Sequence, residues 1–383
     1  MMRCCFITLG CRVNQYESDA MAELLTQAGF EITENPAEAD VCIVNTCTVT
    51  NIADRKSRQM LSKAHKLNPN AKLIAAGCFA QRSPEAAAKL EGVYAVLGSA
   101  DKNRVVELVK SIAEGRENEP NGEKCNCGEK ELCDCFGSAE KSECSGDKSG
   151  GAKILVRDVM HEHEFEEMSA VHEGRTRAYL KIQDGCNMFC TYCAIPYARG
   201  GLRSRSIESV RAEAEKLNNE GFSEVVLTGI HLMSYGRDLR SGTDIRDAVR
   251  CFDGLNNIKR IRFGSLEPHM MTDEIIAELA DNKRICRQFH LSLQSGSDTV
   301  LERMRRGYTS GQYFELCQKL RRAFGGETAV TTDIIAGFPG ETEEEHLETI
   351  EFMRKVGFAK VHIFPYSRRS GTKARFRSAR RSR

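Results

Sequence analysis

The stretch DGCNMFCTYCAIP, residues 184–196, contains three cysteines, Cys186, Cys190 and Cys193, in the spacing C-x3-C-x2-C. It directly follows a short segment at 178–183 that is predicted to be a strand. Three thiolates in one loop can hold three irons of a 4Fe-4S cubane and leave the fourth iron without a protein ligand. An iron that is open in this way is available to a substrate or a cofactor.

A zinc site is the alternative interpretation of the same three cysteines. Structural zinc takes four protein ligands, so a distant side chain such as Cys251 or His231 would have to complete the site. The spacing of the cysteines, the aromatic Tyr192 just before the last of them and the position after a strand favour the cubane.

The segments that follow the cysteine loop predict the fold around it. Strand-length segments recur at 224–229, 260–264, 289–293, 329–335 and 359–364, with helical patterns between them. Six strand–helix units are two short of a closed eight-stranded barrel, so residues 171–367 are predicted to form an open, partial (β/α)6 barrel. The cysteine loop follows the first strand and is expected at the C-terminal face, where barrel enzymes build their active sites.

The first 117 residues have the pattern of a separate α/β domain. Predicted strands at 3–9, 30–33, 41–46, 72–76 and 94–97 alternate with segments of helical apolar spacing, such as 17–29 and 53–68. Strand and helix in alternation predict a doubly wound, Rossmann-like parallel sheet.

Three cysteines of this first domain share one position. Cys11, Cys47 and Cys78 each fall at the end of a predicted strand or just beyond it. The ends of parallel strands meet at one edge of the sheet, where ligands collect near the switch in strand order. A second three-thiolate cluster is therefore predicted. The other cysteines of this domain are interpreted as small buried apolar residues, namely Cys4, Cys5 and Cys42.

Residues 118–170 are predicted to link the two domains. Their segment 121–151 has only Leu132 and Phe136 as large apolar residues, so it is expected to stay disordered. Its cysteines leave an accessory metal site and incidental or redox-active thiols as open interpretations. They are Cys125, Cys127, Cys133, Cys135 and Cys144.

Composition places the chain in a reducing compartment. Seventeen cysteines among 383 residues are too many for disulfides in a sequence without a signal peptide or an apolar stretch of membrane-spanning length. A cytoplasmic protein with metal or iron-sulfur ligation is the expectation.

With these motifs in place, the chain resembles the methylthiotransferases of the radical S-adenosylmethionine superfamily. The match runs from residue 3 to about 373 and lapses only in 121–151. It rests on the segments TLGCRVNQYES, NTCTVTNIADRKSRQ, AAGCFAQ, KIQDGCNMFCTYCAIPYARGGLRSR, FHLSLQSGSDTVLERM and TTDIIAGFPGETEEE.

Two short segments, TLGCRVNQYES and LTGIHLMSYG, are most similar to the branch that acts on N6-threonylcarbamoyladenosine beside the tRNA anticodon. Branches that modify isopentenyladenosine in tRNA or a ribosomal-protein aspartate are the alternatives. A further alternative is a non-catalytic iron-sulfur or RNA-binding remnant.

The resemblance implies two 4Fe-4S clusters, S-adenosylmethionine and an electron donor such as flavodoxin or ferredoxin. Cys186, Cys190 and Cys193 would hold the cluster that generates a deoxyadenosyl radical. The other three cysteines would hold an auxiliary cluster that carries the sulfur to be donated. The product would be the 2-methylthio base.

Barrel geometry suggests residues that would bind the cofactor at the ends of strands. These are Gly229, Glu267, Ser292, Gln294 and Asp333, with plain turn formers as the alternative. Tyr192 is added because it lies within the cysteine motif. Arg199, Arg203 and Arg205 suggest contacts to RNA phosphates or bases, with a solvated surface run as the alternative.

The C-terminal end departs from the family pattern. Relatives continue into a small β-barrel tRNA-binding (TRAM) domain, whereas residues 367–383 carry eight Lys or Arg and no acid. The expectation is a truncated or frame-altered chain, or a basic tail, residues 368–383, that contacts phosphates instead.

Overall fold

The computed structural model describes residues 1–115, 152–170 and 175–376. The predicted insertion with its five cysteines and the last seven residues lie outside this part. Among the described residues, no helix is both long and apolar enough to cross a membrane.

The first domain is a parallel sheet with helices on its faces. Its strands are β1 (Arg3–Thr8), β2 (Glu31–Ile32), β3 (Val41–Thr46), β4 (Lys72–Gly77), β5 (Val93–Leu97) and β6 (Lys153–Leu155). Its helices are α1 (Arg12–Gln27), α2 (Asn51–Leu67), α3 (Cys78–Arg82), α4 (Pro84–Ala88) and α5 (Val105–Ala113). The strand order is β2-β1-β3-β4-β5-β6, and every neighbouring pair is parallel. The doubly wound prediction is confirmed.

The strand order reverses between β1 and β3, and this is the place where such sheets bind ligands. Every residue of β3 is buried, because helices cover both faces of a parallel sheet. Cys4, Cys5 and Cys42 pack into the cores on the two faces, which confirms them as buried apolar residues.

The strand β6 is an addition that the sequence did not reveal. It lies within residues 118–170, the predicted linker, yet it pairs with β5 through Ala95–Lys153 and Leu97–Leu155. The chain thus returns to complete the first sheet before it enters the second domain. Three residues are too few to show the alternation that identifies a strand in a sequence.

The second domain is an open barrel. Its strands are β7 (Ala178–Lys181), β8 (Gln183–Asp184), β9 (Arg203–Ser204), β10 (Glu224–Thr228), β11 (Arg260–Phe263), β12 (Ser265–Leu266), β13 (Gln288–Leu291), β14 (Ala329–Ala336) and β15 (Lys360–Pro365). Its helices are α6 (Ile195–Arg199), α7 (Ile207–Asn219), α8 (Ile245–Arg250), α9 (Asp273–Asp281), α10 (Asp298–Met304), α11 (Ser310–Phe324) and α12 (Glu343–Val356).

Two parallel sheets, β11-β10-β7 and β12-β13-β14-β15, make up the barrel wall. Only Gly264 separates β11 from β12, and its N–H donates to the carbonyl of Leu227 in β10. The two sheets therefore follow one another as six successive barrel strands, as the sequence predicted. The antiparallel pair β8-β9 lies beyond β7 and leads into the cysteine loop.

Candidate active site between two cysteine triads

The radical triad, Cys186, Cys190 and Cys193, lies in the loop between β8 and α6. Backbone groups hold this loop: the N–H of Cys193 donates to the carbonyl of Cys190 at 2.9 Å, and the N–H of Met188 donates to Sγ of Cys186 at 3.5 Å. Burial, together with the neighbouring Cys190, raises the pKa of Cys186 to about 11. The loop therefore gathers sulfur groups close enough to influence one another.

The auxiliary triad, Cys11, Cys47 and Cys78, comes from three elements. Cys11 caps α1, Cys47 follows β3, and Cys78 begins α3. A methyl group added at Gly10 would lie 2.9 Å from Cβ of Cys47, so the loop after β1 packs directly on the loop after β3. Burial first, and then Cys78 and Cys11, raise the pKa of Cys47 to about 12. The structure thus brings these three cysteines together at the switch point.

Asn14 connects the strand ends that carry the auxiliary triad. Its fully buried amide donates to the carbonyls of Leu9 and Thr46 at 2.8 and 2.9 Å, and its Oδ1 lies 3.9 Å from Sγ of Cys78. One side chain therefore joins the ends of β1, β3 and β4. These contacts fix the three segments that carry the triad relative to one another.

Neither triad is arranged around a single ion. Within the described ranges, no three His, Cys, Asp or Glu side chains could hold one metal ion. A cubane binds each cysteine through a different iron, so its ligands need only surround a volume rather than a point. Of the residues suggested as a fourth zinc ligand, Cys251 donates to the carbonyl of Ile207 at 3.7 Å, and Nε2 of His231 lies 3.8 Å from the carboxylate of Glu267, too far for a hydrogen bond.

A buried arginine connects the radical triad to the barrel mouth. Arg306 donates to Sγ of Cys190 at 3.4 Å and to both carboxylate oxygens of Glu267 at 2.6 and 2.8 Å. Burial alone would raise the pKa of Glu267, but a hydrogen bond from His269 and the charge of Arg306 hold it below its usual value. Glu267 therefore stays ionised beside the radical triad.

The structure brings Ser292 into the same group. Its carbonyl accepts from Arg306 at 2.9 Å and from the hydroxyl of Tyr308 at 2.6 Å. Its hydroxyl pairs with that of Ser265 at 2.7 Å. Glu267 and Ser292 thus form one polar patch at the ends of β12 and β13.

Gln294 and Asp333 form a second pair farther along the rim. The N–H of Gln294 donates to the carbonyl of Asp333 at 2.9 Å, and the carboxylate of Asp333 lies 3.4 Å from Nε2 of His290. Gln294 has a φ of 76°, a conformation that side chains other than glycine rarely adopt. Strain of this kind is concentrated at ligand-binding positions.

The two remaining cofactor candidates have structural roles that are evident from their contacts. A methyl group at Gly229 would come within 2.8 Å of Oε1 of Gln183, so the absence of a side chain makes room for that glutamine. The ring of Tyr192 packs against an apolar cluster that includes Met304 and Phe338.

The three arginines predicted to contact RNA do not lie on the surface. Arg199, Arg203 and Arg205 are 0, 3 and 4% exposed. Arg199 pairs with Glu17 and Arg205 donates to the hydroxyl of Tyr16, both across the contact between the two domains. Arg203 lies behind them and donates to the carbonyl of Arg199. Both sequence interpretations, an RNA contact and a solvated run, are wrong, because neither considered the packing of one domain against the other.

Arg199 belongs to a buried group of charges between the domains. Burial alone would raise the pKa of Glu17, but Arg199, Lys102 and Lys181 lower it to about 2. The group contains more cations than carboxylates. Its carboxylates are Glu17 and Asp184, with Glu166, whose pKa is raised by burial, at its border. The cations are Arg199, Lys102, Lys181 and Arg203.

Buried charge of one sign is costly unless it is balanced. A cluster held by three thiolates is anionic, and Cys78 is in direct contact with Arg199. The excess of positive charge next to the auxiliary triad is therefore what a thiolate-bound cluster would balance. The residues present fit an iron-sulfur cluster at this position.

The segment after β15 connects the domains instead of forming a free tail. Arg369 is 4% exposed; it contacts Asp54 at 2.8 Å and the hydroxyl of Thr48 at 2.6 Å, close to Cys47. The N–H of Ala374 donates to the carbonyl of Thr191 in the radical loop at 2.9 Å. The expectation of a basic tail from residue 368 is therefore wrong for Arg369, which is buried.

Sequence reasoning missed Arg306 and misjudged His231. Arg306 follows α10 in an ordinary charged segment, and no spacing rule relates it to Cys190, which is 116 positions away. His231 is 8% exposed and neither ring nitrogen has a hydrogen-bond partner among the described residues. A lone histidine in a sequence carries no sign of such an environment.

Two family models match the chain. The radical SAM superfamily model covers residues 180–353, and a family described as uncharacterized, UPF0004, covers residues 3–98. The two models thus span the two cysteine triads.

Curated relatives match almost the whole chain. Threonylcarbamoyladenosine tRNA methylthiotransferase MtaB of Bacillus subtilis (strain 168) is 40% identical over 96% of this chain and 74% of its own length. The enzyme of the same name from Aquifex aeolicus is 36% identical over 97% and 82%. A tRNA-2-methylthio-N(6)-dimethylallyladenosine synthase from Finegoldia magna is 32% identical over 96% and 73%.

Among solved structures, the radical S-adenosylmethionine methyltransferase TsrM from Kitasatospora setae superposes with a TM-score of 0.66 at 17% identity. It covers 98% of this chain and 77% of that one. At this identity the likeness supports the fold alone, and it extends across both domains.

Proposed function

Because the chain belongs to the radical SAM tRNA methylthiotransferases, enzymes with two 4Fe-4S clusters and S-adenosylmethionine, we propose that it methylthiolates C2 of N6-threonylcarbamoyladenosine. The target base lies next to the tRNA anticodon. Support for this base comes from the segments TLGCRVNQYES and LTGIHLMSYG and from the 40% identity to the Bacillus subtilis enzyme named for it, against 31–34% for three dimethylallyladenosine enzymes. The isopentenyladenosine reaction remains the second candidate.

The observation that carries the proposal is the connection between the auxiliary triad and the start of the radical loop. Arg199 contacts Cys78 of the auxiliary triad and also Asp184, two residues before Cys186 of the radical triad. One buried side chain thus links Cys78 to the segment that leads into the radical triad. A reaction that needs a radical and a sulfur donor in one place requires such proximity.

We assign cluster ligation to the two triads. The radical triad would leave one iron to S-adenosylmethionine, and the auxiliary triad would leave one iron to the sulfur that is transferred. When bound, the clusters and S-adenosylmethionine supply a deoxyadenosyl radical that abstracts hydrogen from C2 of the base, and a methylated sulfur that replaces it.

The rim of the barrel would hold the cofactor next to the radical triad. Glu267 remains anionic through Arg306, so it can accept hydrogen bonds from the ammonium or hydroxyl groups of S-adenosylmethionine. Ser292, Gln294 and Asp333 continue the same rim, and we assign them to the cofactor as well. For Gly229 we infer only that its backbone lies close to the cofactor, and for Tyr192 only that its ring packs beneath the cysteine loop.

Nucleoside analysis tests the proposed base. The full chain is expressed in cells that lack their own threonylcarbamoyladenosine methylthiotransferase, and digested tRNA is examined by mass spectrometry. The 2-methylthio derivative of threonylcarbamoyladenosine is the expected product. Appearance of methylthio-isopentenyladenosine in cells lacking that enzyme would favour the second candidate. Unmodified tRNA from a protein that holds both clusters would contradict the enzymatic assignment.

A further inference from the structure

Arg199 is the last residue of α6, six positions after Cys193, and its side chain reaches into the first domain. It is fully buried. The established family reaction requires ligands for two clusters but does not explain a buried cation between them. The contacts of its guanidinium define what this residue can do.

All five N–H groups of the guanidinium have acceptors. One Nη donates to Glu17 and to Asp184, and the other donates to Glu17 and to the amide oxygen of Asn14. The fifth group, Nε–H, donates to Sγ of Cys78 at 3.2 Å. Four contacts therefore orient the guanidinium so that its remaining N–H points at the sulfur.

We propose that Arg199 is a positioning residue that holds Cys78 as a cluster ligand and raises the reduction potential of the auxiliary cluster. This inference rests on the proposed assignment of Cys11, Cys47 and Cys78 as ligands. Reduction adds negative charge to a cluster, and a hydrogen bond or a cation at a ligand sulfur stabilises that added charge. Because Arg199 and Cys78 are 0 and 3% exposed, water does little to screen this contact.

The same side chain ties the auxiliary ligand to the radical loop. Asp184 accepts from Arg199 and also from the N–H of Gly185, which precedes Cys186. Two hydrogen bonds of Arg199, one to Cys78 and one to Asp184, thus link Cys78 to the start of the radical loop. A substitution at Arg199 should disturb sulfur insertion more than cleavage of S-adenosylmethionine.

Arg205 provides a matched control. It is also a buried interdomain arginine, 4% exposed, and it donates to the hydroxyl of Tyr16 at 3.2 Å and to Glu213 at 3.4 Å. Its Nε donates to the hydroxyl of Ser209 at 2.8 Å and lies 3.0 Å from the carboxylate of Glu167. Arg205→Gln removes the same charge from the same interface without touching the auxiliary triad.

The test uses the full chain with the radical triad replaced, Cys186→Ala, Cys190→Ala and Cys193→Ala, so that the auxiliary cluster alone is titrated. The protein is reconstituted with iron and sulfide and reduced stepwise with dithionite while the EPR signal of the reduced cluster is recorded. With Arg199→Gln added, the midpoint should move to a more negative potential; with Arg199→Lys it should move less. Arg205→Gln should leave the midpoint unchanged.

An unchanged midpoint in Arg199→Gln, or an equal shift in Arg205→Gln, would overturn the inference. If Arg199→Gln holds no iron while Arg205→Gln does, the positioning role is supported. The effect on the reduction potential is then measured on Arg199→Lys instead. If the triad-replaced chain itself holds no iron, the ligand assignment fails first, and the inference fails with it. None of these readouts depends on the RNA base, so they are separate from the test of the proposed substrate.

Discussion

The two triads are supplied by the chain in different ways. Cys186, Cys190 and Cys193 come from one loop, whereas Cys11, Cys47 and Cys78 come from three strand ends that a parallel sheet brings together. The radical triad thus depends on a local turn, and the auxiliary triad depends on the fold of a whole domain. A local site can be recognised by spacing, and a distributed one only by its position on the sheet.

The two triads have one feature in common and differ in the charges around it. Each has a buried arginine that donates to one sulfur, Arg306 to Cys190 at 3.4 Å and Arg199 to Cys78 at 3.2 Å. Arg306 is balanced by Glu267 at the barrel mouth, whereas the cations around Arg199 outnumber their carboxylates. The charge around Arg306 is thus balanced within the protein, whereas the charge around Arg199 is left for a bound anionic group to balance.

The largest effect is expected when one cysteine is removed from either triad. Cys47→Ala should still cleave S-adenosylmethionine to deoxyadenosine but should lose methylthio transfer, because only the auxiliary triad is incomplete. Cys186→Ala should lose both reactions. Deoxyadenosine and methylthio-nucleoside are measured in the same assay. Loss of cleavage in Cys47→Ala would show that the triads do not have separate roles.

Glu17→Gln tests the buried group of charges next to the auxiliary triad. Removing the carboxylate leaves Arg199, Lys102 and Lys181 buried with less compensation, which should cost about 3–5 kcal/mol of unfolding free energy. The control is Glu278→Gln, an exposed partner of Arg250, which should cost less than about 1 kcal/mol. Urea unfolding of both variants gives the comparison. Equal losses of unfolding free energy in the two variants would contradict the importance of the buried group of charges.

The pH dependence of that loss has a defined sign. The pKa of Glu17 is lowered from 4.5 to about 2 in the folded protein, so its ionised form favours folding. The stability difference between the wild type and Glu17→Gln should be complete above pH 4.5 and disappear as the pH falls through about 2. Unfolding measured across this range checks it. A difference that does not change with pH would contradict the charge explanation.

Arg306→Gln makes the matching change at the radical triad. Loss of its contacts to Cys190 and Glu267 should lower the rate of S-adenosylmethionine cleavage by roughly 10–100-fold. The potential of the auxiliary cluster should not move. Arg303→Gln, which removes the pair with Glu345, is the control and should keep near-normal cleavage. Normal cleavage in Arg306→Gln would remove Arg306 from the site.

The smallest expected effect concerns His231. Its two ring nitrogens are buried without hydrogen-bond partners in the described part of the chain, and such groups cost about 1–3 kcal/mol. His231→Leu should therefore leave the melting temperature unchanged or higher while turnover falls, because the ring is available to bind substrate. Thermal unfolding and turnover are measured on one preparation. A destabilised but fully active variant would contradict this role.

Most of the fold could be predicted from the sequence, because strand and helix patterns are local. The six barrel strands and the five strands of the first sheet lie within a few residues of their predicted positions. The convergence of Cys11, Cys47 and Cys78 also followed, since the ends of parallel strands share an edge.

Contacts between residues far apart in the sequence could not be predicted. Arg199 meets Glu17 of the other domain across 182 positions, and Arg306 meets Cys190 within the barrel across 116. The first contact depends on how two finished domains pack and the second on how the barrel folds around the cysteine loop, and neither leaves a periodic pattern in the sequence. For this reason, the sequence did not show that Arg199, Arg203 and Arg205 are buried. Nor did it show that β6, which follows residues 116–151 in the sequence, pairs with β5.

Iron content of the reconstituted protein, measured with Mössbauer spectroscopy on the wild type and on two triple variants, tests the assignment of two clusters most directly. One variant replaces Cys186, Cys190 and Cys193 with alanine, and the other replaces Cys11, Cys47 and Cys78. Two cubanes in the wild type and one in each variant are predicted. A single cubane in the wild type, or a variant without the auxiliary cysteines that still holds two, would contradict the presence of a separate cluster at each triad.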